Sequence, residues 1–331
     1  MDPILGIFYP IPIFPASHGK WYNKRVSKKS NFTINVEYGA LRFVCGIVNL
    51  IPYRLAMGIA WCLGWSAFNV LRLKRARTME RLRGVFPEKP ARELRRIARK
   101  SITNVLQTGV EMIRAPKLDR KWMDRYVLEG QKYKDKLQGY VDEGKGVVIM
   151  VPHSGNWYMA AWSMAAYGLP LVSIAATQRN PKIDAWMKRQ YCDIEVFDRG
   201  SAKTLVDIKR RLQEGRGFAI LPDLRVPQPD VEVDFLRGKA NVSHAGAMFA
   251  VKCGSPIVVA VMRRENGRHV FDHIGTLRPD PAAPDKKEEA ARLTREAMKM
   301  LDERVQAHPE HWFWYNKRWI LQPVKKKEES K

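Results

Sequence analysis

The feature that most constrains the fold of this chain is an alternation of short apolar runs and helical segments that begins near residue 139. The apolar runs have the length of buried strands, and each is followed by a stretch with helical periodicity. The predicted strands are 147–151, 171–176, 194–197, 217–222 and 257–262, and the predicted helices lie near 157–167, 181–191, 202–214 and 243–253. This alternation predicts an α/β fold in which helices flank a mainly parallel, twisted sheet.

Further elements are predicted on both sides of the alternation. An amphipathic helix is expected over 90–115, because its apolar residues recur on one stripe and a proline stands at each end. After the fifth strand, a strand over 269–274 is expected to add an edge to the sheet, and a helix is expected over 286–306. We therefore assign residues 78–322 to one α/β domain.

Residues 38–73 constrain the chain in a different way, because they form an apolar region with two arginines before its basic end. The longest uncharged stretch, 55–71, has 17 residues, which is the lower limit for a membrane-spanning helix. Pro52 divides the region into two pieces. Three interpretations are open: two helices in the membrane interface, one tilted transmembrane helix, or a buried hairpin in the core.

Membrane association is favoured by Trp61 and Trp65 and by the basic cluster RLKRAR at 72–77, which suits anionic headgroups on the cytoplasmic side. The apolar region is therefore predicted to lie in or on a membrane. The predicted segments of the chain are an irregular N-terminal arm (1–37), a membrane-associated helical segment (38–77), the α/β domain (78–322) and a disordered basic tail (323–331).

The chain carries 58 Lys and Arg residues against 34 Asp and Glu residues, a formal net charge of +24 that attracts polyanions. It has no zinc-finger spacing, basic zipper or RNP-like strand, and its basic residues recur beside apolar and Trp-rich segments. We therefore expect an anionic membrane surface as a partner and no nucleic acid. The four cysteines are far apart, so neither structural disulfides nor a metal site is predicted.

Polar side chains follow each predicted strand, where ligands bind in a parallel sheet. In strand order they are His153, Ser154, Gly155 and Asn156; Gln178, Arg179 and Asn180; Asp198 and Arg199; Asp223 and Arg225; and Arg263 and Arg264. His153 precedes a Gly–Asn turn that opens a helix, which Ser154 or Asn156 can cap. Because backbone N–H groups at a helix start can hold a developing oxyanion, His153 is predicted to be a catalytic base.

Several motifs together indicate a family. The stretch GKGVVIMVPHSGNW resembles the histidine motif of the bacterial lipid A biosynthesis (lauroyl/myristoyl) acyltransferases, which also include mannoside acyltransferases. EYGALRFVCGIVNLIPYRLA resembles the family's N-terminal membrane segment, RTMERLRGVFPE its N-L-x-x-x-F-P turn, and GFAILPDLRVP its strand that ends in D-Q. HPEHWFWYNKRW resembles the C-terminal H-P-E-x-W-x-W-x-x-x-R-W, with Trp312, Trp314, Arg318 and Trp319 in register. The resemblance covers most of the chain.

The resemblance implies a glycerolipid acyltransferase-like fold and an O-acyl transfer. The implied donor is a fatty acyl thioester on acyl carrier protein or coenzyme A, and the implied acceptor is a hydroxyl of a membrane glycolipid or lipid A-like molecule. His153 would take the acceptor's proton, with no metal or redox cofactor. An acidic acyl carrier protein suits the basic surface. The expected location is the cytoplasmic face of the bacterial inner membrane, with a single-pass or monotopic anchor.

One position departs from the family. The family motif is H-x4-D/E, in which the acid orients the imidazole, but Tyr158 stands at the acid position. A tyrosine, whose ordinary pKa is about 10, can hydrogen-bond His153 but cannot offset an imidazolium charge. Three outcomes are open. Another acid replaces it, with Asp223 the first candidate and Asp198 the second; Tyr158 suffices for slow transfer or donates to the oxyanion; or the protein is an impaired homologue that binds lipid or a partner.

Substrate binding is predicted for Asn156, Arg179, Asn180, Arg199 and Arg225. The functional interpretation of the arginines is phosphate binding, on a lipid headgroup or on the donor's phosphopantetheine arm, because a guanidinium group binds phosphate through two parallel hydrogen bonds. The alternative interpretation is that they are solvated loop charges. The Trp-rich end of the chain is predicted to pack in the core.

Overall fold

A computed structural model describes residues 30–322 of the 331-residue chain. The helices are α1 (Asn31–Leu50), α2 (Tyr53–Asn69), α3 (Arg75–Val85), α4 (Ala91–Arg114), α5 (Arg120–Tyr126), α6 (Gly130–Tyr140), α7 (Trp157–Ala166), α8 (Pro181–Gln190), α9 (Ala202–Gln213), α10 (Ala245–Cys253) and α11 (Lys286–Ala307). The strands are β1 (Val127–Leu128), β2 (Val147–Met150), β3 (Leu171–Ala175), β4 (Glu195–Asp198), β5 (Gly217–Ile220), β6 (Val231–Phe235), β7 (Gly238–Val242), β8 (Ile257–Glu265) and β9 (Arg268–Leu277). The predicted tail, 323–331, and most of the predicted arm lie outside the described residues.

Seven strands form one sheet in the order β1-β9-β8-β2-β5-β3-β4. Every neighbouring pair is parallel except β8 with β9, so the predicted α/β fold with a mainly parallel sheet is confirmed. The interior strands β2 and β5 are buried along their whole length, which explains why they are continuous apolar runs in the sequence. Strands β6 and β7 form a separate antiparallel hairpin.

The predicted strands and helices of the alternation are all present, and their ends differ by a few residues. Strand β8 continues to Glu265, so Arg263 and Arg264 lie within it rather than after it. The predicted edge strand is β9, but it lies one position inside the edge because β1 pairs with it. The hairpin of β6 and β7 was not predicted, although the run VEVDF at 231–235 alternates buried and exposed residues.

The core occupies both faces of the sheet because successive side chains of a strand point to opposite faces. Val148 and Met150 of β2 pack on one face, together with apolar residues of α10 and α11. Val147 and Ile149 pack on the other face, together with residues of α7 and α8. The aromatic side chains of the C-terminal segment 312–319 belong to the first face, which confirms that this segment packs in the core.

The N-terminal apolar region forms two helices that end and begin on either side of Pro52. Helix α1 begins at Asn31, capped by Ser30, so the last part of the predicted irregular arm is helical. Helix α2 packs closely on α4. A Cβ atom on Gly64 would lie 2.8 Å from Cα of Thr103, so the two helices approach to a distance that glycine permits.

We call residues 31–71 the helix pair. Of the fourteen large apolar side chains exposed within residues 30–322, thirteen lie in the helix pair and the other is Val206. The interpretation of this region as a buried core hairpin is therefore wrong, because its outward side chains are uncovered. In the part of the chain that the structure describes, no helix is both long enough and apolar enough to cross a membrane.

Candidate active site

His153 lies in a tight turn between β2 and α7. Asn156 caps α7, because its Oδ1 accepts hydrogen bonds from the amides two and three residues further on, each at 3.1 Å. Gly155 has a φ of 59°, and a Cβ atom there would lie 1.7 Å from the carbonyl oxygen of Met262. The turn therefore needs glycine at this position, both for its backbone conformation and for its contact with β8.

His153 and Asp223 form a buried pair, 6% and 1% exposed. Nδ1 of His153 lies 2.8 Å from Oδ1 of Asp223, and the backbone N–H of His153 donates to Oδ2 at 2.8 Å. Because a carboxylate only accepts hydrogen bonds, Nδ1 carries the proton and Nε2 is the ring nitrogen that can accept from a substrate. Asp223 follows β5, which pairs with β2, so the sheet register brings the two residues together.

The C-terminal segment 311–313 pairs with the same turn. Two backbone hydrogen bonds, of 3.0 and 2.9 Å, join this segment to His153 and Gly155. The indole N–H of Trp312 donates to Oδ2 of Asp223 at 2.8 Å. Asp223 thus accepts three hydrogen bonds, and both of its carboxylate oxygens are held.

Tyr158 belongs to an aromatic cluster. Its ring stacks on Trp162, with centroids 5.4 Å apart, and lies beside the rings of Trp157 and Tyr191, at centroid distances of 5.5 and 6.1 Å. Burial raises the pKa of Tyr158 to about 12. The ring of Tyr158 thus packs within an aromatic cluster, and a catalytic role for its hydroxyl stays a prediction.

A cavity of about 110 Å³ opens beside His153. Most of its walls are apolar or aromatic, and they include Val151, Trp157, Tyr158, Ala161, Trp162, Ile174, Met187, Tyr191, Ile194, Ile220 and Leu224. The polar side chains along it are few, among them Gln178 and Arg199. The lining of this cavity suits an apolar group whose reactive end lies at His153. Within residues 30–322, no group of three or more His, Cys, Asp or Glu side chains is arranged to hold a metal ion.

A charged network lies behind the turn, centred on Glu111 of α4, which is fully buried. Arg264 donates two parallel hydrogen bonds to its oxygens at 2.8 and 2.7 Å. Tyr53 donates to Glu111 at 2.6 Å, Asn156 at 2.7 Å and His269 at 2.9 Å. Burial opposes the charge of Glu111, but Arg264 and His269 outweigh it and hold the pKa of Glu111 well below its ordinary value. We call these five residues the Glu111 network.

Asn156 and Asn180 serve as helix caps. The Asn156 amide is bonded at both ends within the protein, to the start of α7 and to Glu111. Asn180 caps α8, and its Nδ2 donates to the carbonyl of Ile34 at 3.0 Å and to Glu37 at 2.9 Å. The amides of both asparagines bind the protein's own backbone and carboxylates, and substrate binding by either residue stays a prediction.

Of the two candidate acids, Asp223 contacts His153 and Asp198 does not. Asp198 ends the edge strand β4, which is separated from β2 by β3 and β5. Its side chain is half exposed and lies 2.9 Å from Lys188 and 3.2 Å from Thr177. Asp198 is therefore a surface ion-pair partner.

The three arginines predicted to bind substrate fall in different places. Arg199 lines the cavity. Arg225 donates through Nε to the carbonyl of Gln322 at 2.6 Å, and Arg179 is exposed. Arg199 is thus the arginine of the three that shares the cavity with His153, and phosphate binding by any of them stays a prediction.

Two features of the site were missed from the sequence. Glu111 was not singled out, although it stands next to Met112 on the buried stripe of α4, where a charged residue is unusual. Trp312 was assigned to the core without a polar role, because an indole N–H carries no sequence signal of its partner. A charged residue on the apolar stripe of α4 is the sequence signal that indicates Glu111.

Comparisons with known proteins give a family and curated relatives. The profile of the bacterial lipid A biosynthesis acyltransferase family matches residues 25–320. A phosphatidylinositol mannoside acyltransferase of Mycolicibacterium smegmatis is 25% identical over 195 residues, 56% of this chain and 60% of that protein. A phosphatidylinositol mannoside acyltransferase of Mycobacterium tuberculosis is 23% identical over 222 residues, 63% of this chain and 66% of that protein. The matches with these relatives thus span less than two thirds of the relatives' length.

Proposed function

Because this chain belongs to the bacterial lipid A biosynthesis acyltransferase family, we propose that it transfers a fatty acyl group from an acyl thioester to a hydroxyl of a membrane glycolipid. The proposal rests on one observation: His153 lines an apolar cavity while its Nδ1 contacts the buried carboxylate of Asp223. The cavity supplies an apolar wall for an acyl chain, and the imidazole supplies a base at that wall.

In the proposed reaction His153 is the general base. Its Nε2 takes the proton of the acceptor hydroxyl as that oxygen attacks the thioester carbonyl carbon and a C–O bond forms. The tetrahedral intermediate then loses the C–S bond, and the imidazolium returns the proton to the departing thiolate. Asp223 keeps the ring oriented, and its negative charge stabilises the imidazolium. The products are an ester and a free thiol.

Asp223 takes the role that the family motif gives to the residue at position 158. Its contact with Nδ1 of 2.8 Å and its burial support this assignment. A carboxylate at position 158 would stand among Trp157 and Trp162, where burial of an unpaired charge is unfavourable. Tyr158 instead contributes its ring to the cavity wall.

The donor is a fatty acyl thioester of acyl carrier protein or coenzyme A. The net charge of +24 favours the approach of an acidic carrier protein or of a phosphate-bearing thioester. Arg199, beside the cavity, is the arginine best placed to bind a phosphate of the donor or of the acceptor. The acceptor is a lipid A-like molecule or, as the relatives' names suggest by analogy, a lipid-linked mannoside.

The helix pair docks the protein on an anionic membrane, at the cytoplasmic face of the bacterial inner membrane. Its thirteen exposed large apolar side chains supply the buried contact with lipid. The exposed Arg72 and Arg77 follow it directly and supply the attraction to headgroups.

The second candidate function is that of an impaired homologue that binds lipid or a partner and transfers nothing. The tyrosine at the family's acid position favours it. The two functions differ in turnover and not in lipid binding.

The test is an acyl-transfer assay. Purified protein in mixed micelles receives labelled acyl carrier protein or acyl-coenzyme A and a total lipid extract, and mass spectrometry looks for a lipid that gains one acyl group. We expect product from the wild type and from His273→Ala, a control on β9, and a rate about 10² to 10⁴-fold lower from His153→Ala. Lipid binding without product from any donor would instead support the impaired homologue.

A further inference from the structure

We propose that Trp312 is a positioning residue that orients the Asp223 carboxylate toward His153. The inference rests on the proposed function, since it assumes that His153 is the base. Trp312 does not touch a substrate in this scheme; it acts through Asp223. The C-terminal aromatic segment thereby joins the site as well as the core.

Both oxygens of the Asp223 carboxylate are held by hydrogen bonds. Oδ2 of Asp223 accepts from the indole N–H of Trp312 at 2.8 Å, and Oδ1 lies 2.8 Å from Nδ1 of His153. A carboxylate held at both oxygens cannot turn about its Cβ–Cγ bond without losing one of these contacts. The indole therefore keeps Oδ1 facing the imidazole.

The hydrogen bond between Trp312 and Asp223 is buried. Trp312 is 2% exposed and Asp223 is 1% exposed. Bulk water therefore cannot reach Oδ2 of Asp223 to replace the indole N–H when that donor is removed. The remaining donor to Oδ2 is the backbone N–H of His153, and a buried carboxylate oxygen that loses a donor is costly to satisfy again.

The indole of Trp312 is held in place through its backbone and by a neighbouring ring. The backbone of segment 311–313 pairs with the His153 turn, and Ser101 donates through Oγ to the Trp312 carbonyl at 2.5 Å. The ring packs edge-on against Trp314, with centroids 4.9 Å apart. The donor is thus fixed to the same turn that carries the base, which preserves the geometry of the pair.

The chain offers a matched control two residues away. Trp314 is fully buried, belongs to the same motif, and donates its indole N–H to the Pro309 carbonyl at 2.7 Å. Trp312→Phe and Trp314→Phe each remove one buried indole hydrogen bond and similar ring area. They differ in the acceptor that is left behind, a site carboxylate or a backbone carbonyl.

The experiment measures kcat and KM of the transfer reaction for the wild type and both variants. We expect Trp312→Phe to lower kcat about 10-fold or more with KM changed less than about twofold, and Trp314→Phe to lower kcat less than about threefold. Thermal melts should show similar losses of stability for the two variants. Equal kcat values for the two variants would overturn the inference.

A double-mutant cycle with Asp223→Asn tests the route of the effect. If Trp312 acts through Asp223, Trp312→Phe should lower kcat less than about threefold further in the Asp223→Asn background. If the double variant instead lowers kcat by the product of the two single reductions, the inference is contradicted. Where Trp312→Phe does not fold, β-(3-benzothienyl)-alanine at position 312 keeps the ring shape and removes the N–H.

A spectroscopic measurement is independent of the substrate. In ¹⁵N-histidine-labelled protein, the Nδ1 proton of His153 should be protected from exchange in the wild type and in Trp314→Phe, and should exchange faster in Trp312→Phe. Unchanged protection in Trp312→Phe would overturn the inference. Absence of turnover in the wild type, or a wild-type kcat in Asp223→Asn, would instead refute the proposed function. The exchange rate of the Nδ1 proton would then test the contact between Trp312 and Asp223 by itself.

Discussion

The helix pair and the Glu111 network depart in opposite ways from the rule that apolar side chains are buried and charged side chains are exposed. Within residues 30–322, the helix pair holds thirteen of the fourteen exposed large apolar side chains. In the network, a fully buried carboxylate binds an arginine, a histidine and two neutral donors. Exposed apolar surface and buried charge are each unfavourable in isolation.

The two regions differ in what offsets these costs. The carboxylate of Glu111 is satisfied inside the protein by its five hydrogen bonds. The outward face of the helix pair is not covered by any other part of the described chain, and exposed apolar surface of this kind is typical of a membrane or protein contact. We therefore expect the network to act on stability and the helix pair to act on association. Tyr53 belongs to both regions.

The largest effect is expected from breaking the network. Glu111→Gln leaves the Arg264 charge buried without its partner, and we expect it to lower the free energy of unfolding by about 3 to 5 kcal/mol in urea titrations. Glu143→Gln is the control, because Glu143 makes the same two-bond contact with Arg278 at the surface. A comparable loss from the two variants would refute the role given to burial.

The network also predicts a pH dependence. The folded pKa of Glu111 is held below its ordinary value, so its contribution to stability is present above that value and is lost as pH falls toward the folded pKa. The stability difference between the wild type and Glu111→Gln should thus be constant above about pH 5 and shrink below the ordinary glutamate pKa of about 4.3. A difference that grows on acidification would contradict this account.

A smaller effect is expected from the helix pair. Phe43, Trp61 and Leu63 are 71%, 53% and 57% exposed. If lipid buries them, replacing all three with Ser should weaken binding to phosphatidylglycerol vesicles about 100-fold in flotation assays, at about 1 kcal/mol each. Val206→Ser is the control, since Val206 is 67% exposed outside the helix pair and should leave vesicle binding unchanged. Equal losses would show that the helix pair has no special role.

The smallest effect tests the link between the two regions. Tyr53 lies in α2 and donates to Glu111 at 2.6 Å. Tyr53→Phe removes that hydroxyl alone, and we expect a loss of about 1 to 2 kcal/mol in unfolding free energy. Combined with Glu111→Gln, it should add little, because the bond it removes is already altered. Full additivity in the double variant would mean that the two residues are uncoupled.

Much of the fold could be predicted from the sequence because its interior strands are buried on both faces. Such strands appear as continuous apolar runs, and β2 and β5 are examples. Asp223 could be named because it follows β5 on the rim where β2 delivers His153. The distance of Asp198 from the site could not be predicted, since strand order is set by tertiary pairing and not by position along the chain.

The rest of the site depends on side-chain directions that a pattern does not encode. Asn156 could be predicted as a cap, but its second bond, to Glu111, arises from the contact of α4 with the turn. The start of α1 was placed too late because the cap residue Ser30 stands in a stretch of mixed polarity. Glu111 and the helix pair both depart from the ordinary burial rules, and such departures are typical of functional or strained sites.

We propose that Asp223, and not the residue at position 158, supplies the carboxylate that orients His153. The most direct measurement compares kcat of Asp223→Asn and Tyr158→Phe in the transfer assay. We expect Asp223→Asn to be slower by about 10² to 10⁴-fold, the scale on which an orienting carboxylate acts in a serine-protease triad, and Tyr158→Phe to stay within about threefold of the wild type. Near-normal turnover in Asp223→Asn together with a large loss in Tyr158→Phe would contradict the claim.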